Sequence, residues 1–447
     1  MKRRQFLSIL LLGLLLLLLL TFPVLAAPPV QEESSACAEA YTVQADDWLS
    51  KIAAKFLGDP LAYTAIVEAT NQQQAQDDSF AQIANPDLIE IGWKVCIPTP
   101  ETAVATLTDP ATAASSFMVT DALSRSVSLA APPQDFVIAG RATPLIIDAF
   151  YLFPEASQAL TGLELRSQSA ADFLNLIDPN YGSKAALEMD SGPEQIAPLQ
   201  PDVVLLKSFM AEQLGAPLEQ VGIPVVYVDL ETPEQYTRDL TTIGQLLGNP
   251  DRAQEILTFY QERVDQVTQA MAGLSEEQKP RVLLLQYSDR GGEIAFNVPP
   301  ASWLQTTMVE IAGGTPVWLE AAEAGGWTVV NLEQIAAWNP DQIYVVSYFT
   351  NPAETVAQLK ADATWQQLQA VQNNQIYGFP NDYVSWDQPD PRWILGLQWL
   401  ATKIQPEQAA GIDMRQAFND FYTQMYGLDQ ATIEAEVGPQ LKGDTGF

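Results

Sequence analysis

Residues 192–208 read GPEQIAPLQPDVVLLKS, and residues 331–348 read NLEQIAAWNPDQIYVVSY. Glu-Gln-Ile-Ala and Pro-Asp fall at identical internal spacing in both, and each copy reads as a short helix, a Pro-Asp turn and a buried strand. Stacked repeats recur about every 20–50 residues, so copies this far apart point instead to two lobes of equivalent topology. Around them, from Asp135 onward, short β-rich runs alternate with helical stretches, the mark of parallel α/β architecture. DFVIAG (135–140), DVVLLKS (202–208) and VVYVDL (225–230) are the strands expected in the first lobe; RVLLLQYS (281–288), QIYVVSY (342–348) and QIYGFP (375–380) belong to the second. Runs as continuously apolar as Val203–Leu206 suit strands covered by helices on both faces. Between the lobes, residues 251–274 carry Ala253, Ile256, Leu257, Tyr260, Val264 and Val267 on one helical stripe, which predicts a single stiff connecting helix. The expected boundaries are 135–248 for the first lobe, 249–278 for the connecting helix, 279–405 for the second lobe and 406–447 for a helical tail.

Upstream, Lys2, Arg3 and Arg4 precede an apolar run from Phe6 to Phe22 and a small-residue site at Val24-Leu25-Ala26, so residues 1–26 read as a secretory signal. The run is long, which leaves an uncleaved anchor as the alternative; in either case the rest of the chain lies outside the cytoplasmic membrane. Cys37 lies well beyond the end of the run, where a lipid-anchored protein has its cysteine directly after it. In an exported chain Cys37 and Cys96 are read as one disulfide closing a short module, the alternative being two unrelated buried thiols.

Composition narrows the function. With 22 Lys and Arg against 55 Asp and Glu, the formal net charge is −33, which repels nucleic acid. Histidine is absent, removing the commonest zinc ligand, general base and haem axial ligand together. No G-x-S-x-G elbow, P-loop or redox Cys pair is present. No catalytic residue, metal site or cofactor is expected.

From Tyr41 to Pro98 the chain runs YTVQADDWLSKIAAKF, then LAYTAIVEATN, then NPDLIEIGWKVCIP. The periods predict strand, helix, helix, strand, with Leu49, Ile52, Ala53 and Phe56 on one stripe and the second helix ending before Asn71. With its opening Y-T-V, I-A-x-x-F helix and closing I-P, the module at residues 37–99 resembles a lysin-motif (LysM) domain; Asp46-Asp47 stands where such domains usually have Gly-Asp. The resemblance implies binding of N-acetylglucosamine-containing glycan, hence a peptidoglycan tether, with Asp46, Asp47, Trp48, Asn85 and Ile89 at the sugar groove. An alternative is a plain N-terminal cap. Residues 100–134, rich in Ala, Thr, Ser and Pro, read as a linker.

The repeat, the segment LETPEQY (230–236) and SWDQPDPRWILGLQWLA (385–401) together make residues 135 to about 405 resemble the iron-siderophore and cobalamin class (class III) of periplasmic binding proteins. That resemblance implies two Rossmann-like lobes on a rigid helix, a ligand held between them, and delivery to the permease dimer of an ATP-binding-cassette importer by a monomer. It also implies that Glu194 and Glu333, matched in the two copies, dock to that permease; the alternative is that each favours a helix N-terminus.

Ligands of open α/β sheets lie beyond the carboxyl ends of the strands. That rule marks Arg141 and Thr143 after the first strand, Lys207 and Ser208 after DVVLLKS, Tyr287 and Arg290 after RVLLLQYS, and Tyr348 after QIYVVS. Trp327, six residues before Glu333, stands where a cobalamin-binding relative places an aromatic against its ligand, whereas Glu188 holds the matching place in the first lobe. Phe296, Trp303, Tyr383 and Trp386 add planar surface, and Asp387 and Arg392 border the same crevice in the resemblance. Basic strand ends in so acidic a chain favour an anionic ligand. A ferric siderophore-like chelate ranks first, then cobalamin, then haem. A glycan-acting enzyme using Asp387 and Asp390, or a wall adhesin, is the reading from another class.

Overall fold

The computed structural model describes residues 37–447 except 45–46, 84–85, 87–88, 101–102, 104–116, 166–169, 290–292 and 324. The predicted signal segment, residues 101–102 and 104–116 of the predicted linker, and the candidate residues Asp46, Asn85 and Arg290 lie outside the described residues. Two units are separated near residue 115.

The first unit has a two-stranded antiparallel sheet, β1 (Glu39–Thr42) with β2 (Lys94–Ile97), and helices Leu49–Leu57 and Tyr63–Gln74. Leu49, Ile52 and Ala53 are buried as their spacing predicts, and Cys37 and Cys96 form a disulfide with Cα atoms 5.2 Å apart. The second helix continues past Asn71, contrary to expectation. The Asn71 side chain points off the helix and clamps the backbone of Ile83, donating to its carbonyl at 2.9 Å and accepting from its amide at 2.7 Å. Asparagine here ties down a loop and leaves the helix running.

In the second unit the two copies of the repeat lie in different sheets. The first sheet is wholly parallel, ordered β7-β6-β5-β8-β9, from β5 (Phe136–Ile138), β6 (Leu160–Glu164), β7 (Ala185–Leu187), β8 (Val203–Lys207) and β9 (Val225–Val228). The second runs β13-β11-β10-β14-β15, from β10 (Arg281–Ser288), β11 (Ala295–Val298), β13 (Thr328–Val330), β14 (Gln342–Val346) and β15 (Ile376–Gly378), with the short β12 (Thr315–Pro316) beside β10. Copy one supplies β8 next to β5, and copy two supplies β14 next to β10. Strand β11 pairs antiparallel with β10 and with β13, so the second sheet is mixed.

Each conserved letter of the repeat has the same physical task in both copies. The Gln side chain accepts the amide at the helix start, Gln195 from Gly192 and Gln334 from Asn331, both at 3.0 Å, and in the second copy the Asn331 side chain accepts the Gln334 amide in return at 2.8 Å, closing a capping box. Ile196 and Ile335 are fully buried. Gln200 (φ 51°) and Asn339 (φ 43°) turn the chain through the left-handed region. The Asp of Pro-Asp then pins the neighbouring strand: Asp202 accepts the amides of Gln134 (2.7 Å) and Asp135 (3.1 Å), and Asp341 that of Arg281 (2.8 Å). The Glu and the Ala of the shared motif are exposed in both copies.

Alternation explains the apolar runs. Val137, Val204, Leu206, Val225 and Tyr227 face one apolar cluster, while Phe136, Ile138, Leu205, Val226 and Val228 face the other. The second cluster is continuous through the connecting helix Pro250–Met271 to Leu283–Leu285 of the second sheet. Ala253, Ile256, Tyr260 and Val267 of the predicted stripe are buried there.

One boundary moves. Residues 117–129 form a hairpin, β3 (Phe117–Thr120) with β4 (Ser126–Leu129), inside the span expected as linker. Arg125 fixes it to the first lobe, stacking on Tyr227 at 4.3 Å and donating to the Val225 carbonyl at 3.0 Å. Its Ser- and Thr-rich outer face gave it the composition of a linker, although Val119 and Leu129 are core residues.

Candidate ligand site at the strand ends

After β5 the chain makes two successive left-handed steps, Gly140 (φ 84°) and Ala142 (φ 59°), before the helix Thr143–Phe150. The positive φ at Gly140 favours glycine, and a Cβ there would also press on the Met210 side chain at 3.2 Å. The turn leaves Arg141 exposed, with no ion-pair partner among the described residues. Thr143 is different: it is fully buried and donates to the Glu164 carbonyl at 3.0 Å, so its hydroxyl already has an acceptor inside the lobe. Lys207 is likewise buried, its ammonium held by the Asp229 carbonyl and by Glu231 at 2.8 Å, while Ser208 donates to Asp229. Arg238 closes this network on Asp229 and Asp239. The first lobe therefore meets its own charges at the ends of β8 and β9.

The second lobe arranges aromatics. Trp303 meets Trp327 edge to face at 5.5 Å between centroids, and Trp327 meets Tyr348 at 6.5 Å. Tyr348 donates to Asp387 at 2.9 Å, and Gln305 donates to the same oxygen at 3.2 Å. Burial pushes the Asp387 carboxyl above its usual range despite these hydrogen bonds. Four predicted residues, Trp303, Trp327, Tyr348 and Asp387, thus form one continuous group. Tyr287 and Phe296 do not join it; they pack on each other (6.1 Å), with Trp365 against Phe296 (5.1 Å).

Beyond β14 and β15 lies a cavity of about 260 Å3 whose lining includes Tyr348, Asn381, Asp382, Ser385, Gln388 and Lys442. Tyr383 also borders it, stacking on Phe173 of the first lobe at 5.0 Å and donating to the Glu436 carbonyl at 3.0 Å.

Two predicted ligand residues are structural instead. Trp386 is fully buried, donating to Asp382 at 3.1 Å and packing on Phe418. Arg392 is fully buried as well, paired with Asp148 of the first lobe (2.7 Å) and with Asp382 and Asp390 of the second (2.8 Å each). Its guanidinium joins the lobes and is consumed in doing so. Burial, and then the neighbouring Asp390, raise the Asp148 carboxyl well above its usual range.

Sequence reasoning missed several residues. Phe209 stands at the repeat position of Tyr348 and is 61% exposed directly beyond β8; Met189 beyond β7 and Leu165 beyond β6 are exposed too. Reading the repeat one residue further would have found Phe209. Lys442 and Asn381 had no local signal.

The two docking candidates, Glu194 and Glu333, are both exposed in the first turns of their helices. In the small module, Asp47 accepts from the Tyr41 hydroxyl (2.7 Å) and the Gln44 amide (2.9 Å), and the Tyr41 bond chiefly holds its pKa down. Trp48 beside it is 56% exposed, and Ile89 packs partly on the core.

Comparison with known proteins accords with this architecture. A family described as "Periplasmic binding protein" matches residues 164–383, and a "LysM domain" matches residues 41–98. The molybdate-binding protein MolA of Haemophilus influenzae is 24% identical over 255 residues, covering 52% of this chain and 69% of MolA. A vitamin B12-binding protein of Vibrio parahaemolyticus is 24% identical over 203 residues, covering 45% and 67%. Among solved structures, a periplasmic solute binding protein of Veillonella parvula superposes with a TM-score of 0.59 at 23% identity, over 72% of this chain and 96% of that one. Molybdate-bound MolA gives 0.58 at 20% identity, over 70% and 98%. These relatives are solute-binding proteins, not enzymes.

Proposed function

The chain carries a class III periplasmic-binding-protein domain and a LysM domain, and on that premise we propose that it captures a ferric siderophore-like chelate outside the cytoplasmic membrane and passes it to an ATP-binding-cassette permease. The observation that carries the ligand class is the aromatic group Trp303–Trp327–Tyr348 at the strand ends of the second lobe, together with the exposed Phe209 and the exposed Arg141, which has no ion-pair partner among the described residues, at strand ends of the first. Flat apolar surface with a few cations suits a bulky aromatic or macrocyclic chelate of negative charge. The same surface suits a corrinoid, and the vitamin B12-binding relative favours that second reading.

Glu194 and Glu333 are the two surface charges that meet the permease. Both are exposed, charged and matched in the two copies, which suits a docking surface with one charge at each end. The LysM domain holds glycan of the wall along the loops at Asp47–Trp48 and Ile89, so capture takes place beside the peptidoglycan. Native mass spectrometry of protein from its own host should reveal a co-purified ferric chelate. Reversing both charges (Glu194→Arg with Glu333→Arg) should abolish uptake with ligand affinity intact; loss of affinity instead would overturn the docking role.

A further inference from the structure

The cavity beyond β14 and β15 is completed by the last residues of the chain. Asn381 and Lys442 exchange backbone hydrogen bonds (3.2 and 2.8 Å), and Asp444 does the same with Gly378, its amide on the carbonyl at 2.8 Å and its carboxylate on the amide at 2.6 Å. The tail therefore runs along the outer edge of β15. Trp399 fixes it there by donating to the Asp444 carbonyl at 2.7 Å. This course carries Lys442 to the cavity rim, exposed, its ammonium without an ion-pair partner among the described residues.

Asp382 is a carboxylate of the lining, and it is already committed to Arg392, Trp386 and Tyr422. The Lys442 charge is thus not neutralised by it. Deeper in, Asn381 is only 8% exposed and its Oδ1 has no hydrogen-bond partner among the described residues. A buried acceptor left open in this way is costly unless a donor arrives. At about 260 Å3 the cavity is smaller than the roughly 300–1,000 Å3 of sites that enclose a whole drug-sized ligand, so it fits one arm of a larger cargo.

We infer that this cavity is a subsite for a hydroxycarboxylate arm of the ligand, with Lys442 taking the carboxylate and Asn381 Oδ1 accepting from the neighbouring hydroxyl. One ammonium balances one carboxylate. A carboxylate with an adjacent hydroxyl supplies both the charge for Lys442 and the donor for Asn381. The inference rests on the ligand-capture reading above, and it makes the tail a determinant of specificity.

The test is calorimetric titration of the full chain at low ionic strength with citrate, with tricarballylate, which lacks only the hydroxyl, and with inorganic phosphate. Citrate should bind the wild type best. Lys442→Ala should weaken citrate about tenfold or more, Lys442→Glu should abolish it, and Lys442→Arg should restore most of it. The exposed position of Lys442 keeps these variants folded. Failure of citrate to bind, equal binding of citrate by wild type and Lys442→Glu, or phosphate or tricarballylate binding as well as citrate would each overturn the subsite. A co-purified chelate retained by Lys442→Glu would leave the capture reading standing while removing the subsite; absence of any chelate would count against the capture reading itself.

Discussion

The two lobes repeat one helix-turn-strand plan but finish it differently at their ligand-side ends. In the first, Lys207, Ser208, Asp229, Glu231, Arg238 and Asp239 satisfy one another. In the second, Trp303, Trp327 and Tyr348 present ring faces and edges, and the cavity beside them holds an acceptor and an ammonium that have no partner among the described residues. A charge network that closes on itself stiffens a lobe and offers a ligand little. If the strand ends hold the ligand as proposed, discrimination among ligands belongs chiefly to the second lobe, and stiffness to the first and to the joint between them.

The joint gives the largest expected effect. Arg392→Ala would leave Asp148, Asp382 and Asp390 buried together without their cation, and breaking a buried pair in this way costs about 3–5 kcal/mol. Urea unfolding should show the loss as a lower midpoint. An unchanged midpoint would mean that the lobes are held by apolar packing alone.

Next come the lobes themselves. Trp327→Ala should weaken binding of the co-purified ligand about tenfold, in the range of a truncated aromatic anchor, with little change in melting temperature. Lys207→Met should do the reverse, lowering the melting temperature by removing the partner of Glu231 while leaving affinity within about twofold. Titration and thermal melts of both variants would sharpen the division, and a fall in affinity for Lys207→Met would break it.

The repeat itself offers a smaller and paired test. Asp202 accepts two amides of the strand beside it and Asp341 accepts one. Asp202→Ala should cost about 1 kcal/mol and Asp341→Ala less, read from denaturation midpoints. These residues also show how much was legible. The two lobes, the connecting helix, the principal strands and the small module follow from local pattern, because Gln195, Ile196 and Asp202 each act on neighbours fixed by the same motif. The hairpin Phe117–Leu129 and the short strands β11 and β13 were not legible, since two or three half-exposed residues carry too little period to stand out from loop. Arg392 was misplaced for another reason. Its partner Asp148 lies in the other lobe, and nothing local distinguishes a guanidinium facing a ligand from one facing a distant carboxylate. Lys442 reaches Asn381 only through the tail's path along β15, which no nearby residue announces.

The smallest effect concerns two buried aspartates whose pKa values move in opposite directions. Asp178 is buried, which alone would raise it, yet the hydroxyls of Tyr151 and Ser157, the Asn180 amide and Lys184 outweigh burial and hold it below its usual value. Its contribution is present above the unfolded pKa of about 3.9 and disappears as pH falls through the lower folded value. Asp148 runs the other way: burial and Asp390 raise it, so the native state holds its proton more tightly than the unfolded chain does. Its contribution is full below about pH 3.9 and is lost as pH rises through the folded value. Asp148→Asn keeps the shape of the protonated acid and takes away the titration. Melting temperature measured against pH should then fall less steeply on the alkaline side of that window in Asp148→Asn, while the acid limb, set in part by Asp178, stays where it was. Asp178→Asn should flatten the acid limb and leave the alkaline side alone, and the same change in both limbs for either variant would mean that neither aspartate titrates independently of the joint at Arg392.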